Sequence, residues 1–262
     1  MICKICSSAA APFGEAMVLG KNRIAYFCCG SCGFIQTEEP YWLDEAYSDA
    51  ITSSDVGLVD RNIRLARVTK VLLSNLFDAK GRYLDYGGGY GLFVRLMRDA
   101  GFDFHHYDKR CVNLLARGFE ADAAGSAQYE ALTAFEVFEH LVNPMEEIRE
   151  MLSFSRNIIF TTELVRPPAP LPGRWWYYGT EHGQHVSFYT LKALEVIAQK
   201  LSLRLYTNGR SLHVLTGKRI NRFFFRFLAS QRTATFLHLF AGRDSLIDAD
   251  YRKATGNSEG IR

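Results

Sequence analysis

Long apolar runs, an export signal and a strong charge excess are all lacking in this sequence of 262 residues. No apolar run approaches the roughly 18 residues that a membrane-spanning helix needs. The first residues, Met-Ile-Cys-Lys, hold no apolar segment typical of a secretory signal, so we expect a cytoplasmic protein. A net charge of +3 is too small to indicate a nucleic-acid-binding protein. A hydrophobic content of 48% and a charged content of 23% exclude global disorder.

Cysteine is scarce outside the N-terminal segment, where five of the six cysteines precede residue 33. A disulfide scaffold would spread its cysteines and follow an export signal, so we expect reduced thiols and a metal site. Two C-x-x-C pairs, with 22 residues between them, supply four thiolates for one structural Zn²⁺. The predicted ligands are Cys3, Cys6, Cys29 and Cys32. Cys28 is left open as an alternative to Cys29.

Three segments follow from the composition. Residues 1–45 form the cysteine-rich zinc ribbon, residues 46–218 alternate apolar runs with helical patterns, and residues 219–262 form a basic and aromatic helical extension. The alternation predicts an α/β fold with a parallel sheet, and apolar residues at helical spacing predict a helix over 60–77. The predicted strands are 82–86, 102–107, 130–135, 157–162, 203–207 and 212–216, of which the last two form a hairpin.

The most specific motif is the run Asp85-Tyr86-Gly87-Gly88-Gly89-Tyr90-Gly91, which follows a predicted strand and precedes a predicted helix. Glycine lets the backbone turn tightly and approach a ligand closely, and the helix start offers N–H groups to an anion. The dinucleotide pattern G-x-G-x-x-G fails in every frame, and no Lys-Ser/Thr of a P-loop follows. Asp108 lies 23 residues after Asp85, at the end of the next strand, where it is placed to bind a ribose diol or to cap a helix.

This D-x-G-x-G-x-G run resembles the first motif of class I S-adenosylmethionine-dependent methyltransferases. The resemblance implies a Rossmann-like, seven-stranded sheet with helices on both faces. It also implies S-adenosylmethionine, whose ammonium and sulfonium favour a carboxylate and whose carboxylate favours amide N–H groups. The implied cofactor-binding residues are Asp85, Tyr86, Gly87, Gly89, Gly91, Asp108, Phe135 and Glu136.

The segment Phe135-Glu136-Val137-Phe138-Glu139-His140 resembles the E-x-x-E-H run that follows the fourth strand of many of these enzymes. Glu136 and His140 are four residues apart, so on a helical turn Glu136 would orient His140 as a general base. In ubiquinone-type O-methyltransferases a similar Glu/Glu/His run binds a divalent cation, which leaves Mg²⁺ at Glu136, Glu139 and His140 as an open alternative. The alternative interpretation is that Glu139 and His140 only cap the following helix.

The loop Trp175-Trp176-Tyr177-Tyr178 places four aromatic residues side by side, which cannot all face one core. Such rings stack on sugars or other flat ligands, or close a site. His182 and His185 follow in the same loop as further candidate bases, and internally hydrogen-bonded histidines in a packed lid are the alternative. The segment 185–190, His-Val-Ser-Phe-Tyr-Thr, resembles one that is common in a bacterial branch of these methyltransferases.

The resemblance implies O-methylation of a sugar or glycan hydroxyl in surface-polysaccharide or related biosynthesis, with a small-molecule or glycan acceptor and no nucleic acid. Two rivals stay open, namely an RNA methyltransferase with a zinc module and a non-catalytic scaffold that keeps the cofactor fold. The stretch 219–240, in which arginines alternate with phenylalanines, forms either a helix packed on the domain or a weak contact with a membrane surface. The oligomeric state is left open.

Overall fold

The computed structural model of the chain describes residues 1–48, 55–121, 128–241 and 243–256. Contacts divide it into two compact units. The first unit comprises Met1–Thr52, Phe135–Glu150 and Ile159–Arg219, and the second comprises Ser53–Ala134, Met151–Ile158 and Ile220–Arg262. The chain thus passes several times from one unit to the other, and each unit is built from distant segments.

A four-stranded sheet in the first unit contains the cysteine-rich segment. Its strands are β1 (Ala10–Val18), β2 (Asn22–Cys29), β3 (Ile35–Thr37) and β8 (Ser187–Phe188), in the order β1-β2-β3-β8. Each neighbouring pair is antiparallel. The turn between β1 and β2 uses positive φ at Leu19 (53°) and Gly20 (69°). The ribbon sheet therefore takes its last strand from a segment about 150 residues further along the chain.

A second sheet has six strands in the order β5-β4-β6-β7-β10-β9. They are β4 (Arg82–Tyr86), β5 (Asp103–Tyr107), β6 (Ala131–Ala134), β7 (Asn157–Thr161), β9 (Arg204–Thr207) and β10 (Leu212–Thr216). The strand β4 pairs in parallel with β5 and β6, and β9 forms an antiparallel hairpin with β10. All six strands predicted from the sequence pattern are therefore found.

The expectation of a seventh strand, which came from the resemblance, is wrong for the described residues. At the edge of the sheet, beside β5, a single parallel bridge joins His106 to Glu120. The His106 N–H donates to Phe119 O at 2.7 Å, and the Ala121 N–H donates to His106 O at 2.8 Å. Pairing over one residue is too short to make a strand, because a ladder needs successive bridges.

Eight α-helices are found in the described parts of the chain. They are α1 (Leu43–Ala46), α2 (Leu58–Leu76), α3 (Leu92–Asp99), α4 (Pro144–Phe154), α5 (Leu191–Lys200), α6 (Arg222–Leu228), α7 (Gln231–Leu237) and α8 (Ile247–Thr255). The amphipathic pattern predicted over 60–77 is confirmed as α2. Thr190 begins α5, where its hydroxyl accepts the Ala193 N–H. Within the described chain, no helix has the length and apolar character that crossing a membrane requires.

Each unit has its own aromatic core. In the first unit, Tyr26 packs edge-on against Tyr178 with ring centroids 5.3 Å apart, and Phe188 lies against the same ring at 4.7 Å. In the second unit, Tyr83 stacks on Phe104 at 5.2 Å. Burying such large rings removes much apolar surface from water, which stabilises each unit.

Candidate functional site

The glycine loop follows β4 in the second unit, and its backbone needs glycine at three positions. Gly87, Gly89 and Gly91 have φ values of 71°, 54° and 87°. These values lie in the left-handed region, where a side chain is strained and glycine is not. Gly91 is the N-cap of α3, and no side chain caps the helix there, so the N–H groups of its first turn face a potential anion.

Lack of space also requires glycine at two positions of the loop. A Cβ atom at Gly88 would lie 2.8 Å from Asp85 Oδ2, and one at Gly91 would lie 2.3 Å from Asn113 Oδ1. Both distances are shorter than any normal carbon–oxygen contact. The absence of side chains therefore lets the loop close around the Asp85 carboxylate.

Asp85 is a buried carboxyl group at the end of β4. The Thr133 hydroxyl on β6 donates to Asp85 Oδ1 at 2.6 Å. Burial raises the pKa of Asp85 to about 7, against the lowering effect of the Thr133 hydrogen bond, and nearby Asp108 raises it further. A cationic ligand at this carboxylate would lower the pKa again, because it favours the ionised form.

Asp108 follows β5 directly and clamps two loops together. Its Oδ2 accepts the Gly89 N–H at 2.9 Å, and its Oδ1 accepts the N–H groups of Arg110 and Cys111 at 2.7 and 2.8 Å. The carboxylate therefore orders the glycine loop as well as the turn after β5. Its predicted role as the ribose ligand stays a prediction.

Sequence analysis missed His106, which supports the same loop. On β5, the buried His106 contacts Gly89 O through Nε2 at 2.8 Å. The contact requires a hydrogen on Nε2, since a carbonyl oxygen only accepts. Nothing in the strand sequence Asp-Phe-His-His-Tyr singles out His106, and only the pairing of β4 with β5 shows what it holds.

The other predicted cofactor-binding residues differ in environment. The Tyr86 side chain is buried against Tyr107 and Phe154, with ring centroids 5.1 and 6.3 Å apart. Its ring therefore belongs to the core of the second unit, so cofactor contacts of Tyr86 are left to its backbone. Phe135 and Glu136 are half-buried residues of the first unit.

The predicted helical pairing of Glu136 with His140 is wrong in its geometry. Glu136 has a φ of 53°, and only a short 3₁₀ turn, Phe138–His140, follows. The Thr161 hydroxyl accepts the Glu136 N–H at 2.8 Å and donates to Glu136 Oε1 at 2.7 Å. Left-handed backbone at Glu136 ends any helical register, so spacing by four does not place the two residues on one face.

Glu139, rather than Glu136, is grouped with the histidines. One ligand atom from each of Glu139, His140 and His185 lies within 4.8 Å of the others. His140 contacts Gln184 O and the Tyr47 hydroxyl through Nδ1, at 3.1 and 2.9 Å. The residue after α1 and the loop around Gln184 thus orient His140, and local spacing revealed neither partner.

His185 is the central imidazole of a row of three. Its ring lies 4.9 Å from that of His140 and 4.8 Å from that of His182. Burial holds the pKa of His185 well below its usual range, and the neighbouring His140 lowers it further, so His185 is neutral at pH 7. A neutral imidazole is the form that accepts a proton or binds a metal. The structure therefore brings the three predicted histidines together.

His182 occupies the outer end of this row. Its Nδ1 accepts the Gln184 N–H at 3.1 Å. A Cβ atom at Gly179 would lie 2.2 Å from His182 Nε2, so that nitrogen sits against the loop backbone. One ring nitrogen of His182 is therefore engaged by the loop backbone and the other is packed close to Gly179, which makes His182 the weakest of the three candidate bases.

The four adjacent aromatic residues divide between core and surface, as the sequence predicts. Tyr177 and Tyr178 are buried, Trp175 is half-buried against them, and Trp176 is 72% exposed. Tyr177 contacts Trp176 on one side and His185 on the other, with ring centroids 5.3 and 4.9 Å apart. An exposed indole therefore lies two ring contacts away from the histidine row.

The four predicted zinc ligands come together in the ribbon. The Sγ atoms of Cys3, Cys6, Cys29 and Cys32 all lie within 4.8 Å of one another. Cys3 Sγ is 3.6 Å from Cys32 Sγ, and Cys6 Sγ is 3.3 Å from Cys29 Sγ. The hydrogen bond from Cys32 lowers the pKa of Cys3 to about 5, so a thiolate is favoured there. Four convergent sulfurs fit a tetrahedral zinc site.

Backbone geometry decides between Cys28 and Cys29. The Ser31 and Cys32 N–H groups donate to Cys29 Sγ at 3.4 and 3.5 Å, and the Ile5 N–H donates to Cys3 Sγ at 3.4 Å. Burial raises the pKa of the Cys28 thiol, which lies outside the group of four sulfurs. Alternation along β2 sends successive side chains to opposite faces, so Cys28 and Cys29 cannot both face the cluster.

The sequence from 60 to 208 matches the family described as "Methyltransferase domain". None of the curated proteins matches the chain. Similar solved structures include magnesium protoporphyrin IX methyltransferase (ChlM) from Synechocystis PCC 6803 with bound SAH. That structure is 15% identical and has a TM-score of 0.44, and the alignment covers 66% of this chain and 92% of that one.

Two further structures give comparable values. The plantazolicin methyltransferase BpumL is 12% identical with a TM-score of 0.44, over 68% of this chain and 93% of that one. A possible histamine N-methyltransferase (TM1293) from Thermotoga maritima is 13% identical with a TM-score of 0.43, over 62% and 92% of the two chains. The family match spans more than half of the 262 residues. By that match, the chain belongs to the methyltransferase-domain family.

Proposed function

We propose that this chain is a cytoplasmic, S-adenosylmethionine-dependent O-methyltransferase that acts on a hydroxyl of a sugar or glycan in surface-polysaccharide or related biosynthesis. The observation that carries the proposal is the glycine loop closed around a buried carboxylate. Asp85 lies behind three glycines of positive φ, beside a helix start without a side-chain cap. One carboxylate for a cation and a helix start without a side-chain cap for an anion suit a cofactor that carries both charges.

In this proposal the residues of the second unit hold the cofactor. The Asp85 carboxylate faces its positive charge, the first turn of α3 faces its carboxylate, and Asp108 binds the ribose diol while clamping Gly89. When bound, S-adenosylmethionine supplies a methyl group on a sulfonium. The loop would lower the barrier chiefly by fixing the cofactor in position, because orientation removes an entropy cost from the reaction.

For the base, the proposal takes the predicted histidines, one of which would receive the proton of the acceptor hydroxyl. The acceptor hydroxyl would lose its proton to an imidazole nitrogen as its oxygen takes up the methyl group. His185 and His140 are the favoured acceptors, since their Nδ1 atoms are held by backbone carbonyls. Glu136 shapes the turn through Thr161, and His182 supports the outer end of the row.

The exposed Trp176 supports a sugar as the acceptor. An indole face stacks on the C–H face of a pyranose ring, and Trp176 is solvent-accessible next to Tyr177, which contacts His185. A hydroxyl of a stacked sugar would point toward a base only two rings away. A structural zinc in the ribbon, held by Cys3, Cys6, Cys29 and Cys32, completes the proposal.

Calorimetry tests the cofactor half of the proposal. We expect S-adenosylmethionine and its demethylated product to bind the wild-type protein and to bind Asp85→Asn at least tenfold more weakly. Asp60→Asn is the matched control, since it removes an exposed carboxylate on α2. Absence of binding to the wild-type protein would contradict the proposal and favour the scaffold reading.

A methyl-transfer screen tests the acceptor half. Nucleotide sugars, glycans and RNA are incubated with methyl-labelled cofactor at two salt concentrations, and wild type is compared with His140→Ala, His182→Ala and His185→Ala. We expect label on a sugar hydroxyl, with His140→Ala and His185→Ala more impaired than His182→Ala. Label that appears on RNA only, and falls steeply with salt, would replace the sugar by RNA.

A further inference from the structure

Helices α6 and α7 of the second unit pack through one side and expose the other. Their buried side chains include Phe225, Leu228 and Ala234. Large apolar side chains of the two helices and of the residues after α7 are exposed, by 43% to 82%. They are Phe223, Phe224, Phe227, Phe236, Leu239 and Phe240. The sequence left a packed helix and a membrane contact as alternatives, and the structure shows that packing uses only one side of each helix.

Local contacts hold the exposed rings in place. Asn221 caps α6, where its side-chain oxygen accepts the N–H groups of Phe223 and Phe224 at 2.9 and 3.1 Å. The rings of Phe236 and Phe240 contact each other, with centroids 5.4 Å apart. Apolar surface that stays in water costs free energy, and several large exposed apolar side chains in one short stretch mark an interaction site.

The same stretch carries charge of one sign. Between residues 218 and 243 the sequence has no aspartate or glutamate. Arg222 and Arg226 are exposed and lie four residues apart on α6, so they share one side of that helix. Each of them is followed by an exposed ring, Phe223 or Phe227. Cations and rings therefore alternate along the exposed side of α6.

The arginines of this stretch lack the carboxylate partners that arginines elsewhere in the second unit have. On α3, Arg95 pairs with Asp99 and Arg98 pairs with Asp250, each at 2.7 Å. In the part of the chain that the structure describes, no ion pair is made by Arg219, Arg222, Arg226 or Arg232. Their charge is therefore available to an anionic partner.

We infer that the surface formed by these exposed rings and arginines, the aromatic–arginine surface, binds anionic lipid bilayers. Guanidinium groups are attracted to anionic headgroups, and rings on the same side of a helix enter the boundary between headgroups and acyl chains. Each helix has seven residues, far fewer than the roughly 20 that span a bilayer, so the helices lie in the interface. The inference does not depend on the proposed function, since neither cofactor nor acceptor enters it.

RNA is the other polyanion that these arginines would attract, and the apolar side chains favour a bilayer over it. Bases stack on the open face of a ring, which Leu239 lacks and which Phe236 and Phe240 partly cover for each other. A bilayer interface receives aliphatic and aromatic side chains alike. It therefore accounts for the whole set of exposed apolar residues as well as for the arginines.

Vesicle co-sedimentation of the full chain tests the inference. The probes are phosphatidylcholine vesicles with and without phosphatidylglycerol. We expect binding to the anionic vesicles to be at least tenfold tighter than to the neutral ones and to weaken at high salt, because salt screens the attraction. Equal binding to both kinds of vesicle, or no binding to the anionic ones, would overturn the inference.

The rings are tested by Phe223→Ser/Phe240→Ser, for which we expect at least tenfold weaker binding to the anionic vesicles. Tyr41→Ser/Leu171→Ser is the matched control, since it removes two exposed apolar side chains of the first unit, and it should bind as wild type does. Thermal unfolding shows whether both variants are folded. Equal binding by the two double variants would contradict a role for the rings.

The arginines are tested by Arg222→Gln/Arg226→Gln, for which we also expect at least tenfold weaker binding to the anionic vesicles. The matched control is Arg23→Gln/Arg64→Gln, because both of its arginines are exposed but pair with a carboxylate. Equal binding by these two variants would show that the arginines of α6 contribute nothing specific.

Two further outcomes would assign the surface to another partner. Binding to RNA but not to vesicles, lost in Phe223→Ser/Phe240→Ser, would replace the bilayer by RNA. Self-association that the same substitutions abolish, without vesicle binding, would replace it by a second copy of the chain. Vesicle binding by a protein that transfers no methyl group would leave this inference standing and remove only the proposed function.

Discussion

The cysteine cluster and the histidine cluster of the first unit each bring side chains that can bind a metal within 4.8 Å of one another. They differ in that the four cysteines form a complete tetrahedral ligand set, whereas the histidine cluster does not. In the ribbon, four sulfurs within 4.8 Å satisfy one another and accept backbone N–H groups. In the histidine cluster, two imidazoles and one carboxylate converge, with the exposed Trp176 two rings away. A closed site stabilises a fold, whereas an open site leaves a position for chemistry. Losing the first should therefore cost stability, and losing the second should cost activity.

The largest effect is expected from the closed site. Cys32→Ser removes one of four sulfurs, and a structural zinc contributes on the order of 10 kcal/mol to folding. We expect loss of the ribbon zinc by elemental analysis and a marked fall in the thermal unfolding temperature. Cys28→Ser, the matched control outside the cluster, should change the free energy of unfolding by about 1 kcal/mol. Equal falls in unfolding temperature for Cys32→Ser and Cys28→Ser would contradict a stabilising role of the four-cysteine cluster.

The open site should show the opposite pattern. We expect His185→Gln to lower kcat for methyl transfer by about 10²- to 10⁴-fold, because proton transfer to a positioned base contributes that much. The unfolding temperature should change far less than in Cys32→Ser, as measured by circular dichroism. Unfolding of His185→Gln at the same temperature as Cys32→Ser would show that the histidine cluster is structural as well.

Asp85 lies outside both clusters and serves as a reference for them. Unlike theirs, its expected effect is a pH dependence of cofactor affinity. Its pKa is raised to about 7, so below pH 7 the folded protein keeps a proton that a cationic cofactor must displace. We expect the affinity for S-adenosylmethionine to be about tenfold weaker at pH 6 than at pH 8, by calorimetry. Asp85→Asn should remove this dependence, and a flat wild-type profile would contradict it.

Asp85 also links pH to stability, with a defined sign. A folded-state pKa above the unfolded value of 3.8 means that the folded protein holds the proton more tightly. The proton on Asp85 therefore adds to the free energy of unfolding. This gain is complete below the unfolded pKa and is lost as the pH rises toward about 7. Saturating cofactor should reduce the loss, because it stabilises the ionised carboxylate.

The smallest effect is expected at the edge of the open site. Trp176→Ala should raise KM for a sugar acceptor about tenfold and leave kcat nearly unchanged, because stacking contributes binding rather than chemistry. The unfolding temperature should stay within about 1 °C of wild type, since the indole is exposed. A fall in kcat as large as that of His185→Gln would place the indole in the reacting centre.

Local patterns carried a large part of this architecture. Short apolar runs between helical patterns located all six strands of the larger sheet, and apolar residues at helical spacing located α2. The glycines after β4 were recognisable because positive φ and close approach leave no other residue type. The seventh strand came from the resemblance alone, and the pairing of His106 with Glu120 extends over one residue only.

Long-range contacts were beyond such patterns. Cys29 and Cys28 are adjacent in sequence, and only the alternation of faces in β2, together with N–H···S geometry, separates their roles. The i,i+4 spacing of Glu136 and His140 predicted that the two side chains share one helical face. This prediction is wrong, because the left-handed φ of Glu136 is incompatible with a helix at that position. Likewise, nothing local to His106 or Thr133 indicated that they hold Gly89 and Asp85.

The sequence by itself determined the elements whose cause is local: strands with an apolar pattern, glycines that must turn, and cysteine pairs whose spacing brings four thiols together. The tertiary structure decided which side chains meet. Glu139 joins His140 and His185 because a 3₁₀ turn and a loop 45 residues away are held together, with the Val186 N–H donating to Glu139 O at 2.8 Å. A three-dimensional contact depends on packing of the whole unit, and no spacing rule within one segment contains it.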